Sequence, residues 1–569
     1  MHDAPRFPDE FNLAHYFLFD RVKEGLGDKV AIRWGERGYT YREVAERSLG
    51  VAAHLTPAAV RGHRVYIVLP DGPAFAWSFF GTLAAGGVVT MGNPDAPVED
   101  LLRVIDYVRP KALITIPRIA RAIADGIADA RDDFEQPIER ILVAPETATG
   151  DDPDKLREPF EWTHDWLSPL AAAGRRPVED ALRFGEVPAR THRDDHAIWL
   201  FTSGSTGHPK AAMHTHRDFA WSTEVYAKGT VGYQRDDVTV SVPRLFFGYA
   251  TGTNLMFPFA VGATVGLFAE RPTPEALARA IAMYRPTVVT NVPTMMGKLL
   301  DHDEMLAREG RAPLDFSSIR FHLSAGEALP EPLLQRFTER FKNDVYDGIG
   351  SAEMFHIYAS NRPGDIKPGS LGRVVSGYAI RILPDDAEGP GAAPLPPGET
   401  GVMWVKGDSV ALGYHCDRNK SWNTFHGHWC RTGDLFRVDA EGYLWFSGRA
   451  DDLLKVGGIW VAPMEVEGCL AAHPAVALAA VIGASDEGLV KPKAFITVRE
   501  AERARVADDE SRRALAAELQ AWVKARLSKY KYPRWIVFVD DLPKNDRGKV
   551  DKKALKEREA RGENPKAAE

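Results

Sequence analysis

Residues 199–210 read Trp-Leu-Phe-Thr-Ser-Gly-Ser-Thr-Gly-His-Pro-Lys. Hydroxyls at Thr202, Ser203, Ser205 and Thr206 can donate to oxyanions, and the Lys210 ammonium can neutralise them. Gly204 and Gly207 let backbone N–H groups approach without a Cβ in the way. A triphosphate is the guest this chemistry suits. A solvated Ser/Gly turn is the plainer alternative, but the apolar strand before the run and the Pro209-Lys210 pair after it favour phosphate. The Walker spacing G-x-x-x-x-G-K-[ST] is absent, as is G-x-G-x-x-G after a strand, so a nucleotide would be held by another architecture.

Three more stretches could do chemistry. Asp347-Gly348-Ile349-Gly350-Ser351-Ala352-Glu353 suits a turn that presents oxygen ligands to a hard cation such as Mg²⁺, against the plainer reading of a strand–turn–helix corner. Trp429-Cys430-Arg431-Thr432-Gly433-Asp434 places a carboxylate in a turn, where Asp434 can accept both hydroxyls of a ribose. Leu542–Val550 is a basic loop containing Gly548-Lys549, which taken alone reads as exposed surface.

The elements that must position these groups alternate. Strands are expected over 30–34, 64–69, 88–91 and 112–116, with helices between them; Thr40 and Glu43 have the spacing of a capping box. The rhythm resumes after the Ser/Gly run, with strands over 238–242, 263–268, 287–292 and 319–323. Such alternation implies parallel sheets. Residues 145–195 read as surface connection, and strands over 402–406 and 443–446 suggest a smaller β-rich unit. From 451 onward, strands over 476–482, 493–498 and 536–539 and helices over 463–472 and 509–528 form a compact α+β unit, with a frayed charged tail after Lys556. The expected class is α/β: an N-terminal domain, residues 1–450, of α/β subdomains plus the β-rich unit, and a small mobile C-terminal domain, residues 451–569.

A chain of 569 residues is too long for one ordinary core. Its 44% hydrophobic and 26% charged residues are those of a soluble globular protein, and a net charge of -8 argues against a nucleic-acid binder. Cys416, Cys430 and Cys469 have neither disulfide nor zinc spacing, and no signal-like apolar region opens the chain, which fits a cytoplasmic protein. The uncharged stretches 72–94 and 245–269 are long enough to span a membrane, but internal Gly and Pro favour helix–turn–strand in a buried core. A homodimer is left open by the sequence.

Taken together, the stretches resemble the adenylate-forming enzymes, the superfamily of acyl-CoA synthetases, luciferases and adenylation domains. Thr202–Lys210 matches its T-S-G-[ST]-T-G-x-P-K loop, with Ala211 where glycine is usual. Ser324-Ala325-Gly326-Glu327-Ala328 resembles its adenine-side turn, and Asp347–Glu353 its [YWF]-G-x-T-E motif. Ile349 stands there for an aromatic residue and Ala352 for a threonine, whose hydroxyl Ser351 could replace. Arg431–Asp434 resembles [RK]-T-G-D, with Cys430 for the usual aromatic. Gly448–Gly458 resembles the hinge segment and Pro543–Lys549 the loop of the catalytic lysine.

The resemblance implies roles. Lys549, Glu353 and Thr202 are the catalytic candidates, with Glu353 holding Mg²⁺. ATP would meet Thr202, Ser203, Gly204, Ser205, Thr206, Gly207, Lys210, Gly326, Glu327, Asp347, Gly348, Ile349, Gly350, Ser351, Asp434 and Arg449. Asp451 would be the hinge, and Gly457 and Gly458 would pass the pantetheine arm of CoA. Arg244–Tyr249 and Ser351–Ile357 look most like benzoate-CoA ligases, which implies an acyl pocket of Gly248, Tyr249, Gly326, Gly350, His356 and Ile357. The glycines are expected to leave flat space for a ring, with Gly248, where alanine is usual, admitting a substituent. The expected activity is ATP-dependent ligation of benzoate or a substituted benzoate, such as 2-aminobenzoate, to CoA through an acyl-adenylate. Alternatives are a medium- or branched-chain aliphatic acyl-CoA synthetase and a non-catalytic nucleotide-binding paralogue.

Overall fold

The computed structural model describes residues 5–55, 60–129, 138–152, 167–169, 189–203, 209–327, 329–449, 452, 454–456, 459–486, 489–544 and 550–565. Two large sheets dominate. The first has seven strands in the order Leu167–Pro169, Arg140–Val143, Ala112–Thr115, Arg64–Val68, Val88–Met91, His196–Ser203, Pro209–Thr215. All neighbours are parallel except the last pair, which is antiparallel. The short strand Leu167–Pro169 corrects the reading of 145–195 as connection alone.

The second sheet has nine strands, running from Arg373–Val374 through Ile357–Ser360, Asp344–Gly350, Phe321–Ser324, Val288–Asn291, Val238–Ser241, Thr264–Leu267 and Val30–Trp34 to Arg37–Thr40. Its interior is parallel, while both margins turn antiparallel. Four-residue runs such as Val-Val-Thr-Met, Ala-Leu-Ile-Thr and Val-Val-Thr-Asn are buried throughout, as strands covered on both faces must be.

Local chemistry sets the helix ends. The Thr40 N–H donates to Glu43 Oε2 at 2.8 Å and the Glu43 N–H to Thr40 Oγ1 at 3.2 Å, completing the expected capping box at the start of Tyr41–Leu55. Proline opens the helices Pro73–Ala84, Pro274–Tyr284 and Pro293–Arg308, where its missing N–H costs nothing. The apolar stretch after Phe247 folds as Gly248–Thr251, Gly252–Met256 and Phe257–Val261 and stops at Gly262, whose φ of 75° suits a glycine. Both uncharged stretches are therefore core helix, turn and strand, and no helix among the described residues is long and apolar enough to cross a membrane.

An antiparallel sheet of Ala379–Leu383, Gly401–Lys406, Phe425–His426, Trp429–Val438 and Leu444–Arg449 forms the β-rich unit, and Met403, Val405, Phe436 and Leu444 join the main core. Beyond it a separate core forms around Val461, Val466, Val476, Ile496, Leu515, Leu519 and Ile536. It lies between the sheet Val476–Asp486, Leu489–Val498, Trp535–Phe538 and the helices Pro463–Ala471 and Asp509–Arg526. The expected frayed tail is ordered in part: residues 557–560 belong to the helix Lys552–Ala560, while 566–569 lie outside the described residues. Asp551 caps that helix, Leu555 is buried, and Lys493 pairs with Glu559 at 2.7 Å.

Candidate active site

The Ser/Gly run joins two antiparallel strands. Thr202 pairs with Lys210 and Ser203 with Pro209, so the motif closes a hairpin at the edge of the seven-stranded sheet. Gly204, Ser205, Thr206 and Gly207 lie outside the described residues, as do Asp451, Gly457, Gly458 and Lys549. Ala211 sits within the second strand, fully buried and paired with Phe201, so its methyl fills core space.

Asp347–Gly350 end a strand of the nine-stranded sheet, and Ser351–Met354 make the tight turn into the antiparallel strand Ile357–Ser360. Only Ser351–Glu353 lie in a turn; the glycines belong to the strand. Gly350 is glycine because a Cβ there would lie 2.5 Å from the His356 carbonyl oxygen. The flat-space reading of that residue is corrected: its missing side chain admits neighbouring backbone.

The turn is braced on three sides. Its Ala352 carbonyl accepts from His214 Nε2 at 2.6 Å, the Glu353 carbonyl accepts from the Ala411 N–H at 2.8 Å, and Glu353 Oε1 accepts from the Tyr414 hydroxyl at 2.7 Å. Burial, reinforced by Glu353, pushes the Tyr414 phenol far above its ordinary value, so it stays a donor. Tyr414 belongs to a segment that runs along the strand Pro209–Thr215, through Met213 N–H to Gly413 O at 3.0 Å and His415 N–H to Ala211 O at 3.0 Å. Its ring centroid lies 5.8 Å from Lys210 Nζ, which is 3.6 Å from Asp417 Oδ2. Lys210 and Glu353 thus approach the site from different sheets and share Tyr414. Ser351 Oγ is buried without a hydrogen-bond partner among the described residues.

Asp347 is deeply buried. Desolvation pushes its carboxyl up to about 8, outweighing the nearby Ser324 hydroxyl and Gly348 N–H, which favour the ion. At neutral pH it holds a proton. Asn291, Ser324 and Asp347 stand in register across three parallel strands. Gly326 follows with a φ of 88°, which accounts for the glycine. Glu327 accepts from the Thr294 hydroxyl at 2.6 Å and its N–H at 3.2 Å, at the start of the helix Pro293–Arg308. Ile349 is half-buried and pairs with Ala359.

Asp434 lies in the long strand Trp429–Val438, not in a turn. Its Oδ1 is 3.5 Å from Arg449 Nη1, which brings two expected ribose-side residues together across paired strands. Cys430 is buried, and desolvation raises its thiol well above the usual value, so it packs as a small apolar residue. Among the described residues the cysteines are free.

His356 sits in an aromatic box, with ring centroids of Tyr226 at 5.5 Å, Tyr249 at 5.3 Å and Phe257 at 4.6 Å. Its Nε2 donates to the Tyr249 carbonyl at 3.1 Å, and burial pushes the imidazole down to about 3, so it is neutral. His356 Nδ1 and the Tyr249 hydroxyl are buried without hydrogen-bond partners among the described residues. Ile357 is buried beside them. A Cβ on Gly248 would lie 3.0 Å from Leu200 Cδ1 and 3.3 Å from Cδ2. Leu200 therefore occupies the space expected to admit a substituent.

Motif reading missed His214, Tyr414 and Leu200. His214 and Asp218 carry the i, i+4 spacing of a local pair, a signal that was available; nothing in sequence links Tyr414 to Glu353, 61 positions away.

The AMP-binding enzyme model matches residues 19–415 and the AMP-binding enzyme C-terminal domain model residues 465–549; the chain belongs to the AMP-binding enzyme family. Within that family it is similar to aryl-acid ligases. It is 37% identical to the benzoate–CoA ligase of Thauera aromatica over 558 residues, covering 97% of each chain. It is 34% identical to the 4-hydroxybenzoate–CoA/benzoate–CoA ligase of Rhodopseudomonas palustris, covering 96% of this chain and 94% of that one. Among solved structures, the anthranilate CoA ligase AuaEII in complex with anthranoyl-AMP matches with a TM-score of 0.83 and 32% identity, covering 98% of both chains. The benzoate CoA ligase from Burkholderia xenovorans LB400 matches with a TM-score of 0.78 and 35% identity, covering 96% of this chain and 99% of that one.

Proposed function

We propose that this protein ligates an aromatic carboxylic acid, benzoate or a substituted benzoate such as 2-aminobenzoate, to CoA at the expense of ATP. The observation that carries the reading is the meeting of the two hairpins, with Lys210 on one side and Glu353 on the other, beside the aromatic box around His356. Full-length similarity to benzoate and anthranilate ligases supports the aryl substrate.

In the first half-reaction a carboxylate oxygen attacks the ATP α-phosphorus, the bond to the β-phosphate oxygen breaks, and pyrophosphate leaves an acyl-adenylate. Thr202–Gly207 and Lys210 hold the phosphates, Asp434 and Arg449 the ribose side, and Gly326, Glu327 and Asp347–Ser351 the adenine side. Ser351 supplies the hydroxyl that Ala352 lacks, since its Oγ is buried and unspent. Lys549 bridges the carboxylate and the α-phosphate, a charge placement worth on the order of 10²–10³ in rate.

Glu353, fixed at one oxygen by Tyr414, would hold Mg²⁺, which supplies neutralisation of phosphate charge.

In the second half-reaction the C-terminal domain, residues 451–569, turns about Asp451 and withdraws Lys549. Gly457 and Gly458 pass the pantetheine arm. The CoA thiol gives up its proton and attacks the acyl carbon, and AMP leaves. The acid lies among Gly248, Tyr249, Gly326, Gly350, His356 and Ile357. His356 Nδ1 and the Tyr249 hydroxyl are polar atoms that a ring substituent can satisfy, which favours an amino- or hydroxybenzoate over benzoate itself. Free cysteines fit a reducing cytoplasm.

The test is CoA-dependent AMP formation with benzoate, 2-aminobenzoate, a hydroxybenzoate and butanoate offered separately. Turnover with an aromatic acid, lost in Lys549→Ala at the adenylation step, is expected. Turnover with butanoate alone overturns the aryl assignment.

A further inference from the structure

His214 and Asp218 are both buried, with side chains 0% and 3% exposed, and lie one helical turn apart where the strand Pro209–Thr215 passes into the helix His216–Ser222. His214 Nδ1 is 3.1 Å from Asp218 Oδ2, and His214 Nε2 is 2.6 Å from the Ala352 carbonyl oxygen. A carbonyl oxygen can only accept, so Nε2 donates to Ala352, while Nδ1 faces the Asp218 carboxyl group. Asp218 is fixed in turn: Oδ2 accepts from the Thr215 N–H at 2.9 Å and Oδ1 from the Thr215 hydroxyl at 2.7 Å. The edge of Phe219 closes one side of the ring, with centroids 5.4 Å apart.

We infer that His214, oriented by Asp218, is a positioning residue for Glu353: it clamps the Ala352 carbonyl and so sets where the next residue's carboxylate presents its oxygens to the metal–nucleotide complex. Three features support this over plain packing. A buried polar pair gains little stability over apolar residues of similar volume, so stability alone does not account for it. The clamp crosses from the hairpin that holds the phosphate loop to the turn that holds the carboxylate, joining residues 138 positions apart. The turn itself is short, Ser351 to Met354, so fixing one carbonyl leaves the Glu353 backbone little freedom. The chain donor–acceptor order is Thr215 to Asp218, His214 to Asp218, His214 to Ala352, with Glu353 one bond beyond.

This inference rests on the ligase reading, and the experiment separates the two. Wild type is first assayed for acid-dependent pyrophosphate–ATP exchange and for Mn²⁺ binding in the presence of ATP, read by the electron paramagnetic resonance of free Mn²⁺. If wild type binds no Mn²⁺–ATP and exchanges with no acid, the ligase reading fails, and the clamp with it. With an active wild type, His214→Leu is expected to weaken Mn²⁺ binding to the ATP complex and slow exchange by about 10–100-fold, the usual effect of losing an outer-shell partner. Its rate of CoA thioester formation from supplied acyl-adenylate should stay within about twofold of wild type, because that half-reaction uses no metal-bound pyrophosphate. His214→Gln, whose amide can still donate to the Ala352 carbonyl, should recover most of the loss. Equal loss in both half-reactions, unchanged Mn²⁺ affinity in His214→Leu, or no recovery in a folded His214→Gln would each overturn the proposal. Thermal melts of both variants identify any failure to fold, and in that event Asp218→Asn, which keeps the imidazole, is held to the same criteria.

Discussion

The seven-stranded and nine-stranded sheets share a plan: each runs parallel through its interior and turns antiparallel at the edge that carries a site motif. They differ in what fixes the motif. The strands beside the Ser/Gly run are set by their own backbone register, from His196 opposite Thr215 to Ser203 opposite Pro209. The Ser351–Met354 turn is set by side chains and backbone from elsewhere, namely His214, Ala411, Tyr414 and, through the Met354 carbonyl, Ser409. The contrast follows from chemistry. A loop of glycines and hydroxyls offers many interchangeable donors, so register suffices. On the proposed reading the turn presents a single carboxylate with two oxygens, and a small displacement would remove it from an ion that demands near-ideal geometry.

Breaking the side-chain-braced turn at its centre should have the largest effect. Glu353→Gln keeps the size and loses the charge, and exchange of pyrophosphate into ATP should fall by on the order of 10²–10³ with folding intact. A loss under tenfold would mean that the braced turn is structural.

Asp347 sharpens the comparison through pH. Its carboxyl is raised to about 8 in the folded chain, so between its unfolded value and pH 8 the native state binds the extra proton. Stability should therefore fall as pH rises from about 4 to 8, and Asp347→Asn should flatten that part of the profile. Denaturant melts across that range measure it; identical slopes in the two proteins would refute the buried, protonated acid.

A smaller effect is expected at the brace. Tyr414→Phe removes one donor to Glu353 and should slow adenylation by about tenfold, the worth of a hydrogen bond to a charged group. Mg²⁺ dependence of the exchange rate should shift with it; loss without that shift would place Tyr414 elsewhere in the mechanism.

The smallest concerns packing in the acyl region. Gly248→Ala should destabilise by about 1 kcal/mol through contact with Leu200, and Leu200→Val in the same chain should recover it. A melting temperature indifferent to both would mean that the two residues do not share that space.

Much of the fold was readable. Apolar runs of four or five residues alternating with capped helices marked both parallel sheets, and Thr40–Glu43 marked a helix start now seen bond by bond. Motif order singled out candidate site residues, but not what holds them. Asp434 read as a turn because Thr-Gly-Asp is good turn chemistry, yet ten residues of strand pairing on two sides override it. Gly350 read as open space, since sequence does not reveal that the His356 backbone passes there. The tail read as frayed on charge alone, because Leu555 and the Lys493–Glu559 pair are tertiary facts. Each miss has one cause: local preference yielded to a packing or pairing partner that composition does not name.

Adenylation of an aromatic acid is measured most directly as exchange of labelled pyrophosphate into ATP by the intact chain with Mg²⁺, one acid at a time. Exchange is expected to require an aromatic carboxylate, to be stronger with 2-aminobenzoate or a hydroxybenzoate than with benzoate, and to be absent without acid. Exchange driven only by an aliphatic acid, or ATP binding with no exchange for any acid, would contradict that expectation.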